Sequence, residues 1–153
     1  GVDFIFFEGM NNTKEAKAAL QAASGFDLPV WMSFVPGLDG NLLNGESLLD
    51  AANLARGLGA EAVLVSAGTI SMVSKSLPNV MDGLPCGAKA IIGRYSPPSW
   101  KPDFYPRFEN TDEVLPEKYA QEASSWLDQG VQIIGGSSGT TPEHIRAVRR
   151  VIG

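Results

Sequence analysis

The sequence predicts an α/β fold built on a parallel β-sheet. Short continuous apolar runs, typical of strands buried on both faces, alternate with longer stretches whose apolar residues recur at helical spacing. Five such β-α units follow one another along the chain. Because parallel strands need a crossover connection, usually a helix, this alternation favours a parallel sheet.

The apolar runs place the strands. They predict five strands, at residues 2–7, 29–35, 60–68, 88–93 and 131–136. The segment 94–115, rich in proline and aromatic residues, carries no clear helix or strand pattern. We expect it to be a lid, a pocket wall or a loop packed over the sheet, because aromatic residues argue against disorder.

Start and stop signals delimit the helices. Asn12, with Glu15 three residues later, predicts the start of the first helix, and Gly25 predicts its end. Thr141 followed by Pro142 predicts the start of the last helix. The residues predicted to face the sheet are Ala16, Ala19, Leu20 and Ala23; Leu48, Ala51, Ala52, Ala55 and Leu58; Tyr119, Ala123, Trp126 and Leu127; and Ile145, Val148 and Ile152.

Two architectures fit this pattern. One is a five-stranded doubly wound sheet, which 153 residues would complete. The other is part of a (β/α)8 barrel, which needs about 250 residues. The chain opens directly on a strand and has no initiator methionine, so we also expect a fragment or a processed chain.

The net charge, the lengths of the apolar runs and the cysteine count argue against several classes of function. The net charge is −5 and no cluster of Lys and Arg stands out, which argues against a nucleic-acid partner. No apolar run approaches the ~20 residues that span a bilayer, and no signal peptide is visible, so we expect no membrane partner. The single cysteine, Cys86, excludes an internal disulfide and fits a reducing cytoplasm.

In both architectures functional groups gather at the carboxyl ends of the strands. Those ends carry Glu8, Ser33, Ser66, Arg94 and the pair Ser137–Ser138. A carboxylate at the rim of a buried strand needs a partner, so we expect Glu8 to face a substrate amine or a basic side chain.

The two serines allow three interpretations. As nucleophiles they need a base, but His144 is the only histidine and we expect it on the helix surface. As part of an anion site, the loop would offer N–H groups and hydroxyls before a helix. In the third interpretation, Ser137 and Ser138 are small residues that permit close packing and cap the helix.

A metal site is not predicted from the residues. A catalytic zinc ion takes about three nitrogen, sulfur or carboxylate ligands. The chain has one cysteine and one histidine, and Cys86 precedes the fourth predicted strand, at the end opposite the candidate site.

Several motifs in order along the chain resemble the C-terminal half of the homocysteine S-methyltransferase family. They are GVDFIFFEGMNNTKEAKAAL, LPVWMSF, GESLLDAANLARGLGAEAVLVSAG and GVQIIGGSSGTTPEHIRAV, and the resemblance covers essentially all 153 residues. The resemblance implies a (β/α)8 barrel of which this chain supplies strands four to eight. The missing strands one to three would then come from an N-terminal half-barrel, or the open edges would be covered in a homo-oligomer.

The resemblance also implies site residues. Glu8 matches the glutamate that binds the substrate amino group in the family. The three zinc cysteines of the family fall at Ala67, Ser137 and Ser138, none of which is a cysteine. We therefore expect no zinc cofactor and no zinc-dependent methyl transfer, because serine hydroxyls stay protonated and alanine has no ligand atom.

The resemblance and the replaced cysteines together predict a diverged, zinc-free homologue that binds an amino-acid-like ligand. The predicted binding residues are Glu8, Ser66, Ser137 and Ser138. A methyltransferase fragment whose cysteines were mutated, a non-catalytic half-barrel scaffold and a phosphate-binding barrel fragment remain alternatives.

Overall fold

The computed structural model describes residues 1–96, 107–109 and 114–153. Its strands are β1 (Ile5–Met10), β2 (Val30–Phe34), β3 (Ala62–Ala67), β4 (Cys86–Ala90), β5 (Arg94–Ser96), β6 (Arg107–Glu109) and β7 (Ile133–Gly136). Its helices are α1 (Thr13–Ala23), α2 (Leu48–Gly57), α3 (Ile70–Ser76), α4 (Pro116–Asp128) and α5 (Pro142–Ile152), with a 3-10 turn at Leu77–Asn79. In the described part of the chain, no helix is long and apolar enough to cross a membrane.

Five strands form one parallel sheet in the order β1-β2-β3-β4-β7. This order follows the chain, whereas the strand order of a doubly wound sheet reverses at a switch point. The structure therefore favours the barrel-like interpretation over the doubly wound one. Strands β5 and β6 pair with each other as a separate antiparallel ribbon within the segment expected to lack strands. The rest of that segment up to residue 113 lies outside the described residues.

The core lies between one face of the sheet and the helices. On β3, the alternate residues Val63, Val65 and Ala67 are fully buried in a cluster that all five helices contribute to. The other face, which we call the inner face, carries Leu64 and Ser66 on the same strand. Both faces are thus populated by buried side chains, as the continuous apolar runs predict.

Two strand positions differ from the sequence-based prediction. The first strand is Ile5–Met10 rather than 2–7, because its ladder begins where Ile5 donates its N–H to Pro29. The fourth strand is Cys86–Ala90 rather than 88–93. Apolar content alone does not fix where inter-strand pairing begins and ends.

The last helix is rotated relative to the prediction. Ile145 and Ile152, expected to face the sheet, are 43% and 46% exposed, and only Val148 of that stripe is buried. The buried side chains are His144, Ala147 and Val148, because α5 packs chiefly against α4. The predicted stripes of α1, α2 and α4 lie largely in the core, with Leu58 the clearest exception at 37% exposure.

Candidate functional site

Glu8 lies in a β-bulge near the carboxyl end of β1. Phe7 pairs with Met32 and Met10 pairs with Phe34, so three steps on β1 oppose two steps on β2. Gly9 takes up the irregularity with a φ of 78°, and its N–H donates to Ser33 Oγ at 2.8 Å. Bulges of this kind change the direction of a side chain at a sheet rim, often next to a functional site. Glu8 was expected just after the strand, but it lies inside it.

The partner of the Glu8 carboxylate is the ammonium group of Lys89 on β4. Strands β2 and β3 lie between β1 and β4, so a flat sheet would separate their backbones by about 14 Å. Side chains stand roughly perpendicular to a sheet, so this ion pair indicates that the sheet curls toward its inner face. The partner is a basic side chain, one of the two kinds of partner expected for Glu8, and binding of a substrate amine stays a prediction.

The two members of the pair differ in their exposure to water. The side chain of Lys89 is 8% exposed, whereas that of Glu8 is 55% exposed. The Lys89 ammonium also lies 5.2 Å from the centre of the Phe6 ring, within range of a cation–π interaction. Lys89 is therefore a buried cation that pairs with the Glu8 carboxylate and lies over the Phe6 ring.

Register places the predicted residue Ser66 beside this pair. Ser66 on β3 is the cross-strand partner of Lys89, and Lys89 in turn pairs with Gly135 on β7. A Cβ atom at Gly135 would lie 3.2 Å from Cγ of Lys89, so the glycine leaves space for the lysine stem. Ser66 and Lys89 thus belong to one row that crosses the inner face.

The serine loop after β7 is held by backbone contacts. The Ser137 carbonyl accepts hydrogen bonds from the N–H and Oγ1 of Thr140, and the Ser138 carbonyl accepts from Ile92 and Gly93. Gly139, with a φ of 92°, packs so closely on Gly93 that a Cβ atom would lie 2.2 Å from the Gly93 nitrogen. The loop therefore connects the end of β7 to the end of β4.

The three positions that the resemblance assigns to zinc cysteines lie at the same end of the sheet. Ala67 pairs with Ala90, and Ala90 pairs with Gly136, which Ser137 and Ser138 follow directly. Ala67 is fully buried in the core, whereas the two serines are half-buried.

Within the described ranges, no three His, Cys, Asp or Glu side chains come together as a metal-binding group. Cys86 is the first residue of β4, at the end of the sheet opposite Glu8, and burial raises the pKa of its thiol. The residues that the structure describes therefore do not supply the ligand set of a catalytic zinc ion.

His144 is buried, so its expected position on the helix surface is wrong. Its Nδ1 accepts the Thr141 N–H at 3.1 Å, and its Nε2 lies 2.9 Å from the Val114 carbonyl. The ring thereby completes the cap of α5 and connects this helix to Val114, two residues before α4 begins. Both ring nitrogens are engaged, which leaves His144 unsuited to serve Ser137 or Ser138 as a base.

A cavity of about 600 Å³ opens near the carboxyl ends of β3 and β4, between α3 and α4. Its polar side chains are those of Thr69, Ser71, Ser74, Lys118 and Glu122. Its lining includes neither Glu8 nor Lys89, so it is separate from the ion pair. We place the candidate site at the pair because the carboxyl ends of the strands and the inner face meet there.

Lys89 is the residue of the candidate site that sequence reasoning missed. A signal for it is present, since a lysine in the buried run Cys86–Ala90 must find a counter-charge. The sequence does not indicate which carboxylate provides it.

A parallel α/β sheet whose strand order follows the chain, with a polar pair near the carboxyl ends of its strands, is consistent with part of a TIM-barrel-like domain. The family model for homocysteine S-methyltransferase matches residues 1–152. The chain therefore belongs to the homocysteine S-methyltransferase family.

Curated relatives are similar over nearly the whole chain. Homocysteine S-methyltransferase 2 of Arabidopsis thaliana is 28% identical over 98% of this chain and 45% of its own length. Homocysteine S-methyltransferase 1 of Zea mays is 29% identical, covering 99% and 47%. Selenocysteine Se-methyltransferase of Brassica oleracea var. italica is 27% identical, covering 98% and 43%. The chain thus spans less than half the length of these relatives.

A solved structure supports the fold. The oxidized form of the homocysteine methyltransferase MmuM from Escherichia coli superposes with a TM-score of 0.73 at 22% identity. The match covers 98% of this chain and 46% of that one. The five-stranded parallel sheet is therefore consistent with part of a TIM-barrel-like domain.

Proposed function

We propose that this chain is a diverged, zinc-independent member of its family that binds an amino-acid-like ligand on the inner face of the sheet. The observation that carries the proposal is the placement of Glu8, which a β-bulge holds at the carboxyl end of β1. Its carboxylate is half-exposed and engages an ammonium group, that of Lys89. A carboxylate that binds one ammonium in this position is chemically suited to bind another.

Independence from zinc is supported by the donor set. Ala67, Ser137 and Ser138 occupy the positions that the resemblance assigns to zinc ligands, and none can supply a thiolate. A free thiol with a pKa near 8.5 is only a few per cent ionised at neutral pH. Without a metal to hold a thiolate, we expect ligand binding without efficient methyl transfer to a thiol.

The barrel assignment is also a proposal in its finer form. We propose that the five main strands correspond to strands four to eight of an eight-stranded barrel. The chain-order arrangement of the sheet supports this, as does the length of the relatives. An N-terminal half-barrel or a second copy of the chain would cover the edge strands of the sheet, β1 and β7. Light scattering of the purified chain tests this, and a monodisperse monomer would argue against self-association.

Binding of L-homocysteine and L-methionine to the purified full chain tests the ligand proposal. We expect isothermal titration calorimetry to detect binding, and we expect Glu8→Gln to weaken it at least ~10-fold, because a charged hydrogen bond is lost. Glu61→Gln is the matched control, since Glu61 is exposed just before β3, at the other end of the sheet. No binding, or equal binding by Glu8→Gln, would exclude the proposed role.

Elemental analysis of the same preparation tests the zinc proposal separately. We expect substoichiometric zinc after purification without chelator. One zinc ion per chain would contradict the zinc-independent assignment whatever the ligand data show.

A further inference from the structure

The Glu8–Lys89 pair bears on which ligand can enter the site. We infer that Lys89 is a specificity-determining residue that selects a zwitterionic α-amino acid, because its ammonium turns away from Glu8 to bind the ligand carboxylate. This inference rests on the proposed function, since it assumes that the ligand amine binds Glu8. Each charge of the pair then meets one charge of the ligand.

The carboxylate of Glu8 is already paired in the structure. Lys89 donates to its Oε1 from across the inner face of the sheet. A ligand ammonium that binds this carboxylate must displace the lysine or share the carboxylate with it. Ligand binding at Glu8 therefore exchanges one ion pair for another and does not neutralise an unpaired carboxylate.

The two side chains of the pair are unequally exposed to water. Lys89 is 8% exposed, and a buried ammonium without a counter-charge is strongly unfavourable. Glu8 is 55% exposed, so water can solvate it when its partner leaves. A ligand that takes Glu8 and offers Lys89 nothing thus incurs a large penalty, whereas a ligand that takes only Lys89 incurs a smaller one.

The neighbours of Lys89 are a glycine at its stem and an aromatic ring near its ammonium. Its stem lies against Gly135, where no side chain obstructs it. The Phe6 ring, 5.2 Å from Nζ, offers an aromatic face that favours the cation near its present depth. We expect the ammonium to turn from Glu8 toward a ligand carboxylate while the stem keeps its place against Gly135.

These three features of the pair predict an order of ligand affinities that Glu8 alone would not produce. A zwitterion satisfies both charges and binds most tightly. A carboxylate without an amine pairs with Lys89 and leaves Glu8 to water, so it binds second. An amine without a carboxylate leaves Lys89 buried and unpaired, so it binds most weakly. If Glu8 contributed most of the binding free energy, the amine without a carboxylate would bind more tightly than the carboxylate without an amine.

Calorimetry on the wild-type full chain with three matched probes tests this order. The probes are L-methionine, 4-(methylthio)butanoic acid, which lacks the amine, and 3-(methylthio)propylamine, which lacks the carboxylate. We expect the acid to bind ~10-fold and the amine ~100-fold more weakly than L-methionine, the range that unpaired charged groups produce. An amine that binds more tightly than the acid would overturn the inference, and this measurement needs no variant.

Lys89→Met provides the second measurement, with Lys89→Arg as the variant that keeps the charge. In Lys89→Met we expect the amine to bind within ~3-fold of L-methionine and the acid to lose its advantage, since no buried cation is left to pair with a carboxylate. Lys89→Arg should keep the wild-type order. Tighter binding of L-methionine by Lys89→Met would show that the lysine only blocks Glu8 and would overturn the inference.

The outcomes for the two proposals are distinct. If L-methionine binds and Glu8→Gln abolishes binding, but Lys89→Met keeps the wild-type order, the proposed function stands and the role of Lys89 is wrong. If none of the three probes binds the wild-type chain, both proposals fail.

Discussion

Lys89 on β4 donates a hydrogen bond to the carboxylate of Glu8 on β1, across two intervening strands of the sheet. The lysine is buried and the glutamate is half-exposed. This difference has consequences for stability as well as for ligand binding.

Substitution of the two partners should have unequal effects. Glu8→Gln leaves Lys89 buried without a counter-charge, and we expect it to lower the free energy of unfolding by about 1–3 kcal/mol. Lys89→Met replaces the buried cation with an apolar side chain of similar length, and we expect a change of less than about 1 kcal/mol, or stabilisation. Urea denaturation at pH 7 measures both. Equal losses of unfolding free energy in the two variants would show that the difference in exposure does not determine the stability of the pair.

Gly139 should tolerate no side chain. Its φ of 92° and its contact with Gly93 both oppose a Cβ atom, so we expect Gly139→Ala to cost about 2–5 kcal/mol. Gly40→Ala is the matched control, because Gly40 has a φ of 82° but a Cβ atom there would meet nothing within 4 Å. The difference between the two variants in thermal or urea denaturation isolates the steric clash. Similar losses would show that backbone strain alone accounts for the effect.

His144 should stabilise the start of α5. Replacement by alanine removes the acceptor for the Thr141 N–H and the group that faces the Val114 carbonyl. We expect His144→Ala to lower the free energy of unfolding by about 1–3 kcal/mol, since buried polar groups are left unpaired. Arg149→Ala, an exposed change on the same helix, should stay within about 0.5 kcal/mol. A His144 variant as stable as that control would contradict the capping role.

Glu46 should make part of the stability depend on acid pH. Its carboxylate accepts the Thr13 N–H at 2.6 Å at the start of α1, and this bond holds its pKa below the usual 4.5. Because the folded-state pKa is lowered, the contribution is present above about pH 4.5 and is lost as the pH falls through the folded-state value. Glu46→Gln should flatten the dependence of the melting temperature on pH between neutral and acid conditions. Asp27→Asn, an exposed loop change, should leave the wild-type pH dependence in place.

Local signals predicted much of the fold. The alternation of apolar runs and helical stripes indicated five parallel strands, and the capping pattern at Asn12 and Glu15 predicted the start of α1, where Asn12 accepts the Glu15 N–H at 2.8 Å. The same pattern located each strand approximately, and with it Glu8 and Ser66 near strand ends, although β1 and β4 are shifted from the predicted ranges. These features depend on residues close together in sequence, so periodicity and composition are sufficient to find them.

Other features depend on how distant segments meet. The bulge at Glu8 arises from its pairing with β2, and the burial of His144 arises from the packing of α5 on α4. The strand order, which decides between a doubly wound and a barrel-like sheet, is likewise a property of the assembled sheet. Glu8 and Lys89 are 81 residues apart, and only the curvature of the sheet brings them together. A charged residue in a buried strand indicates in the sequence that it needs a partner, but tertiary structure decides which partner, because side-chain reach depends on register and curvature.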